Sequence, residues 1–388
     1  MTRRVLTLNA GSSSLKFGLF EAEDEPRRVC TGEIDRVGQE DARLKATGGD
    51  GRALADKRVA APDQAGALEA ALGFLSEGFG TGDVAAVGHR IVHGGERFGE
   101  PARLDDDALG ALEALSPFAP LHQPHNLAGV HAAREAFRKA VQVGCFDTAF
   151  HRGHPAVEDL YALPRELLDK GVRRYGFHGI SYEHLARALA ERAPRLAEGR
   201  VIAAHLGAGA SMCAMRGGRS VASTMGFSAL DGLPMATRCG QIDPGVLLWL
   251  VQSEGMDGEA LSDLLYRRSG LAGLSGVSGD MRELEASNAP GARQAIDYFV
   301  HRARREIGAL AAAAGGLDAL VFSAGIGEHS PRIRAKICDG LGWMGLELDA
   351  DRNEAGEGMI SADVSRVRAF VIPTDEERVI ARAAARLS

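Results

Sequence analysis

The sequence predicts an α/β protein of two similar lobes, and three observations predict it. Apolar runs of strand length alternate with helix-length stretches along the chain. The segment Val5 to Phe20 (VLTLNAGSSSLKFGLF) is echoed by Val201 to Arg216 (VIAAHLGAGASMCAMR). A chain of 388 residues, 45% hydrophobic, has enough apolar material for two cores.

The first element is the run Val5-Leu6-Thr7-Leu8, followed by a Gly11-Ser12-Ser13-Ser14 turn and a returning strand from Leu15 to Phe20, which together read as a hairpin. Residues 21–63 are polar, charged and weakly periodic, as an excursion from a sheet edge would be, and their detail is not assigned. Further strands are expected at Val84 to Val92, Val141 to Phe146, Val201 to His205, Ala319 to Ser323 and Val367 to Ile372. A helix is expected from about Ala292 to Leu310, where Ile296, Phe299, Val300, Ala303, Ile307 and Leu310 recur at three- and four-residue steps. Gly315-Gly316 ends it. A shorter helix is expected from Arg332 to Leu341, and Ser181 is expected to cap the helix after Arg174-Tyr175-Gly176-Phe177-His178-Gly179.

Charge and cysteine usage narrow the function classes. The formal net charge is -7 and the basic residues are dispersed, so no clustered basic surface for nucleic acid is present in the sequence. The five cysteines are odd in number, far apart and form no C-x-x-C pair, which argues against a disulfide framework and a zinc site and fits a reducing cytoplasm. Arg3 and Arg4 resemble the start of an export signal, but the apolar stretch behind them breaks at Asn9 and Gly11. No window approaches a membrane span, so neither membrane nor nucleic acid is an expected partner.

Glycine-rich turns carry the next signal. Two such hairpins facing across a cleft would hold a polyphosphate with backbone N–H groups. A third glycine element, Phe322-Ser323-Ala324-Gly325-Ile326-Gly327-Glu328, follows an apolar run; a structural turn explains it at least as well as a phosphate contact. The full dinucleotide fingerprint and the P-loop lysine motif are both absent, so an ATP site here would rest on several turns. Polar residues set among apolar or glycine-rich segments add Arg90 in GHRIVHGG, Asp147 at a strand end, His178 near a helix start and Arg238 in TRCGQIDP. Read singly, each has an ordinary alternative: a surface arginine, a turn-capping aspartate, a solvated histidine. Only their convergence would be chemical.

At these residues the chain resembles the acetate kinase family, relatives of the sugar kinases, actin and heat-shock ATPases, almost from end to end. The segments that carry the resemblance are LNAGSSSLKF from Leu8, GHRIVHGGE from Gly88, APLHQPHN from Ala119, FDTAFH from Phe146 and RRYGFHGISYEH from Arg173. HLGAGAS from His205, STMGFSALDGL from Ser223, TRCGQIDPG from Thr237, FSAGIGEHS from Phe322 and IPTDEERVIA from Ile372 follow in order. The resemblance implies the actin-like ATPase fold, a duplicated βββαβαβα unit with a central nucleotide cleft. It places residues 1–149 and 375–388 in an N-terminal lobe and residues 150–374 in a C-terminal, nucleotide-binding lobe. The implied reaction is reversible, direct in-line phosphoryl transfer from ATP to acetate, giving acetyl phosphate and ADP, in a cytoplasmic homodimer.

Residue by residue, the resemblance implies that Asn9 and Glu376 hold Mg2+, for which Mn2+ substitutes, and that Lys16 lies near the nucleotide phosphates. Arg90 would bind the substrate carboxylate, with Val92, Leu121 and Phe177 around its methyl group. Asp147, His178, Arg238 and His122 would be catalytic. His205, Leu206, Gly207, Ala208 and Gly209, then Asp280, Met281 and Arg282, then Gly325, Ile326, Gly327, Glu328 and His329 would contact ATP. Four positions depart from the family pattern: Ala208 and His329 stand where asparagine is usual, Ala229 where proline is usual and Gln241 where aspartate is usual.

The chemistry agrees with that implication. A carboxylate is already ionised near neutral pH and needs no base; the obstacle is bringing one anion to another, which calls for cations and aligned donors. Asp147 is therefore expected mainly to orient Arg238 or metal-bound water. The rivals are a propionate or butyrate kinase of the same family, consistent with a softer wall at Ala229, and a non-catalytic actin- or chaperone-like ATP-binding module.

Overall fold

The computed structural model describes residues 3–11 and 13–388; Ser12 of the first glycine-serine turn lies outside the described residues. The chain divides into two compact units, one of residues 1–152 with 375–388, the other of residues 153–374.

In the first unit β1 (Arg4–Ala10), β2 (Ser14–Glu21), β3 (Arg27–Asp35), β4 (Arg43–Gly48), β5 (Ala53–Arg58), β6 (Val84–Ile91), β7 (Ala102–Arg103) and β8 (Val141–Phe146) form one sheet. Its order is β5-β4-β3-β2-β1-β6-β8-β7. The N-terminal run closes as the expected hairpin, Ala10 opposite Leu15, and β1 continues in parallel with β6, and β6 with β8. Val5, Leu6 and Leu8 are all buried, because β1 is central and covered on both faces.

The second unit holds β9 (Arg200–Leu206), β10 (Ala210–Arg216), β11 (Arg219–Ser223), β12 (Ala319–Ser323), β13 (Gly358–Met359) and β14 (Arg368–Val371), in the order β11-β10-β9-β12-β14-β13. The kernel β3-β2-β1-β6-β8 of the first sheet and β11-β10-β9-β12-β14 of the second are one topology: an antiparallel meander whose first strand leads into two parallel strands. The echo between Val5–Phe20 and Val201–Arg216 is thus a duplication, β1–β2 matched by β9–β10.

Four local details fill in or depart from the expectation. Residues 21–63 contain β3, β4 and β5, a meander on the sheet edge; β4 alternates over only six residues and β5 exposes nearly all of its own, so little of the segment reads as an apolar strand. Gly325 to Gly327 lie in a short helix, Ala324–His329, entered through Ala324 at φ 63. The helix Gly179–Arg192 begins one residue after His178, whose left-handed backbone (φ 58) takes the cap position, so Ser181 sits inside the helix. The long helix runs further than expected, Pro290–Ala314, with the apolar stripe buried and Gly315 closing it in the left-handed region.

Candidate active site

In the first unit the site is organised around the C-terminal end of β6. Arg90 is paired with Cys145 of β8 in the ladder, and the Asp147 backbone N–H donates to the Ile91 carbonyl (3.0 Å), which fixes Asp147 beside the strand end. Arg90 Nε donates to Asp147 Oδ1 at 3.0 Å and Nη2 to Oδ2 at 2.7 Å, a fork-to-fork pair with Asp147 buried. Glu376 Oε2 stands 3.8 Å from Arg90 Nη1 on the other side. Burial works against the guanidinium charge, but Asp147 and Glu376 outweigh it and hold the Arg90 pKa above its ordinary value. Asp147, expected to orient Arg238 or metal-bound water, thus has Arg90 as a two-bond partner.

Glu376 opens the helix Glu376–Leu387, and its neighbours are tied down on both sides. Asp375 caps that helix and accepts from Arg28 Nη2 on β3 (2.5 Å), while Glu377 accepts from Thr31 Oγ1 (2.9 Å). Asn9 lies on β1 opposite Lys16 of β2. Lys16 Nζ is 3.7 Å from Glu33 Oε1, half exposed. The Gly11 turn is held from below by Gln64, whose Nε2 donates to the Gly11 carbonyl.

His122 takes the cap position of the helix Gln123–Ala136, with Leu121 half-buried just before it. Two amides in that helix, missed as site residues, organise the backbone around Arg90. Asn126 accepts from the Val92 N–H (2.9 Å) and donates to the Ala10 carbonyl (2.6 Å), so one side chain joins the ends of β1 and β6. Gln123 accepts from the His93 N–H and donates to the His93 carbonyl. The signal was present in HQPHN: amides on the buried face of a helix must find backbone partners.

In the second unit His178 and His205 stack, ring centroids 4.3 Å apart and planes 20° from parallel. Ser211 Oγ lies 2.8 Å from His178 Nδ1, and Ser181 Oγ 2.9 Å from His205 Nδ1. Phe177, just before, is buried. The turn Leu206 to Gly209 is closed by a Gly207 N–H to Gly209 carbonyl bond (3.1 Å) and pinned by the Ala236 N–H on the Ala208 carbonyl (3.1 Å). Ala208 thus contributes its backbone where an asparagine would add a side chain.

Arg238 Nη1 donates to the Ala229 carbonyl at 3.2 Å. Its backbone is clamped by Gly270, where a Cβ would lie 2.2 Å from the Met235 carbonyl oxygen and 2.9 Å from the Arg238 nitrogen; only glycine at φ 63 fits. Gln241, in place of aspartate, accepts from Arg302, which also pairs with Glu306 (2.8 Å). Asp280 caps the helix Met281–Ala286 and pairs with the exposed Arg282, which holds its carboxyl below the ordinary range. Glu328 turns inward, accepting from the Ala324 and Thr374 N–H groups (2.7 and 3.0 Å), and His329 is exposed. The buried Arg334 donates to the Gly327 and Glu328 carbonyls (2.9 and 2.8 Å), anchoring the end of that short helix.

Guanidinium groups held in place by carboxylates or carbonyls, with glycine turns presenting backbone, are what an enzyme needs to handle anionic partners in phosphoryl transfer. The comparisons agree. The model of the acetokinase family matches residues 4–382. The chain is 53% identical to an acetate kinase of Methylocella silvestris, over 98% of this chain and 97% of that protein, and 52% identical to one of Nitrobacter hamburgensis, over 97% and 94%. Among solved structures, the acetate kinase of Porphyromonas gingivalis matches with a TM-score of 0.88 at 37% identity, covering 98% of each chain. A propionate kinase from Francisella tularensis matches with a TM-score of 0.92 at 33% identity, again over 98% of each. The protein is a phosphotransferase of the two-lobed α/β type. It belongs to the acetokinase family, and its reaction moves a phosphoryl group between ATP and acetate.

Proposed function

We propose that Arg90 binds the acetate carboxylate and that Asp147 acts by orienting and neutralising Arg90. The observation that carries this reading is the two-bond Arg90–Asp147 pair at the end of β6, which aims the guanidinium while leaving Nη1 toward Glu376. Val92, Leu121 and Phe177 would contact the methyl group. His178 and Arg238 would meet the transferred phosphoryl oxygens, with His122 assisting; Lys16, the turn His205 to Gly209, Asp280 to Arg282 and Gly325 to His329 would serve the nucleotide. In-line transfer follows, since an ionised carboxylate is already a nucleophile.

Asn9 and Glu376 suit Mg2+: both offer hard oxygen donors, and the described residues contain no cluster of three or more His, Cys, Asp or Glu that would hold a metal by protein groups alone. Mg2+ is commonly held through one or two carboxylates together with substrate phosphates, and that donor set fits here. When bound, it would neutralise phosphate charge; Glu376 and Asn9 would orient it.

The homodimer reading gains support from the helix Pro244–Gln252, apolar along Val246–Val251 yet without one buried residue, Leu248 and Trp249 being more than half exposed. A helix hydrophobic all round is ordinarily covered. None of the five cysteines forms a disulfide, which supports a cytoplasmic setting; no helix among the described residues is long and apolar enough to cross a membrane.

A hydroxamate assay with acetate, propionate and butyrate tests substrate choice, since one methylene shifts binding by about 1–3 kcal/mol. The propionate alternative rests on Ala229 alone. Arg90→Ala should raise KM for acetate far more than KM for ATP; an unchanged acetate KM contradicts the assignment. For the dimer, Trp249→Glu should give monomers in sedimentation velocity.

A further inference from the structure

We infer that Tyr182 and Ser211 hold His178 as the neutral imidazole with its hydrogen on Nε2, so that the ring meets the phosphoryl group as a hydrogen-bond donor and not as an imidazolium. The inference rests on the role proposed above for His178.

Tyr182 OH lies 2.5 Å from Ser211 Oγ, and Ser211 Oγ lies 2.8 Å from His178 Nδ1. Tyr182 and Ser211 are fully buried. Burial raises the Tyr182 pKa well above its ordinary value, so the phenol keeps its hydrogen; either oxygen of the Tyr182–Ser211 pair can donate, and the inferred network has the phenol donating. A serine oxygen that accepts from the phenol has one hydrogen left to give, and it faces Nδ1. Nδ1 is then the acceptor, which leaves the ring hydrogen on Nε2. An imidazolium would donate from Nδ1 and reverse both bonds, turning the phenol into an acceptor.

His205 adds a constraint. Its ring stacks on His178 at 4.3 Å, and two imidazolium rings at that separation repel, so both cannot be charged together. The spacing is built in, because Ser211 lies directly opposite His205 in the β9–β10 ladder while Ser181, from the helix that His178 caps, holds the His205 Nδ1. Tyr182 and Ser211 are thus positioning residues acting through His178.

The test is nitrogen NMR on enzyme carrying 15N-histidine, with His178 assigned by difference against His178→Gln. The expected parent spectrum shows a pyridine-type Nδ1 and a pyrrole-type Nε2 at neutral pH. A protonated Nδ1, whether as the other tautomer or as imidazolium, overturns the proposal. Ser211→Ala should mix the tautomers and lower kcat by about ten- to a hundredfold, a size usual for partners that orient a functional histidine. Ser211→Thr should restore the parent signature. Tyr182→Phe should give a smaller effect, since Ser211 keeps its hydroxyl, and it serves if Ser211→Ala does not fold. A parental His178 spectrum in Ser211→Ala also overturns the proposal. The spectrum is read without substrates, so it is distinguishable from the role itself: full activity in His178→Gln would sink the role and leave the tautomer result standing.

Discussion

The two units hold their functional groups in different ways. At the end of β6 the means is ionic: Arg90 lies between Asp147 and Glu376, and Arg28 and Thr31 reach the acidic residues flanking Glu376. In the second unit uncharged groups contribute: Ser211 contacts His178, Ser181 contacts His205, and the Ala229 carbonyl accepts from Arg238. An ion pair fixes a cation and at the same time cancels much of its field, which suits the proposed role of Arg90 in binding and releasing a small anion. A carbonyl or hydroxyl orients without cancelling charge, which suits groups that must offset charge as it develops on a moving phosphoryl group.

The largest effect is expected at the arginine proposed to meet the transferred phosphoryl group. Arg238→Ala is expected to lower kcat by about 10³ or more, as for arginines that serve transferred phosphoryl groups. A loss below tenfold in steady-state kinetics would mean that the carbonyl-held guanidinium carries no such duty. Asp147→Asn should follow, at roughly a hundredfold in kcat/KM for acetate, since it leaves Arg90 half-paired and free to swing toward Glu376; the two-bond geometry is lost although size is kept. Retention of most activity at saturating magnesium would remove the orienting role.

Arg28→Gln tests whether the ionic scaffold extends to the metal site proposed at Glu376. It deletes the contact to the Asp375 cap without touching Glu376 itself. The magnesium concentration for half-maximal rate should rise about tenfold, with kcat at saturation little changed, by analogy with partners that orient metal ligands. Mn2+ titration followed by electron paramagnetic resonance gives the binding constant without turnover. Equal constants for parent and variant would confine Arg28 to fold maintenance.

How much of this was readable in sequence follows from the same contrast. Strands buried on both faces, such as β1, β8 and β12, announce themselves as apolar runs, and the hairpin echo marked the duplication. The edge meander β3–β5 did not, because its outward residues are charged and its inward ones interrupted. Arg90, Asp147, His178 and Arg238 stood out as polar residues among apolar neighbours. Their orienting partners did not: Asn126, Ser211 and Arg28 act across 116, 33 and 347 residues of chain, and separations of that kind leave no local pattern. Ser181 misled for a related reason. A serine three residues into a helix motif reads as a cap until the left-handed turn at His178 displaces it.

The smallest expected effect probes a neutral group inside the ionic unit. His89 precedes Arg90 on β6 and is fully buried, its Nε2 2.8 Å from Gln142 Oε1. Burial lowers its pKa from 6.5 to about 4, against the opposing pull of the Gln142 bond. The folded value lies below the unfolded one, so between those pH values the unfolded chain binds the extra proton. Stability is therefore intact above pH 6.5 and falls as pH drops toward 4, by up to about 3 kcal/mol from this group. His93, also lowered to about 4, first by burial and then by Arg152, contributes in the same window. His89→Gln removes one of the two. Urea unfolding at pH 7 and pH 4.5 should show the variant losing less stability over that interval than the parent, by about 1–3 kcal/mol, with carboxylate titration common to both. Identical losses would mean that His89 accepts a proton in the folded state, and that this unit tolerates buried charge without the carboxylate pairing seen at Arg90.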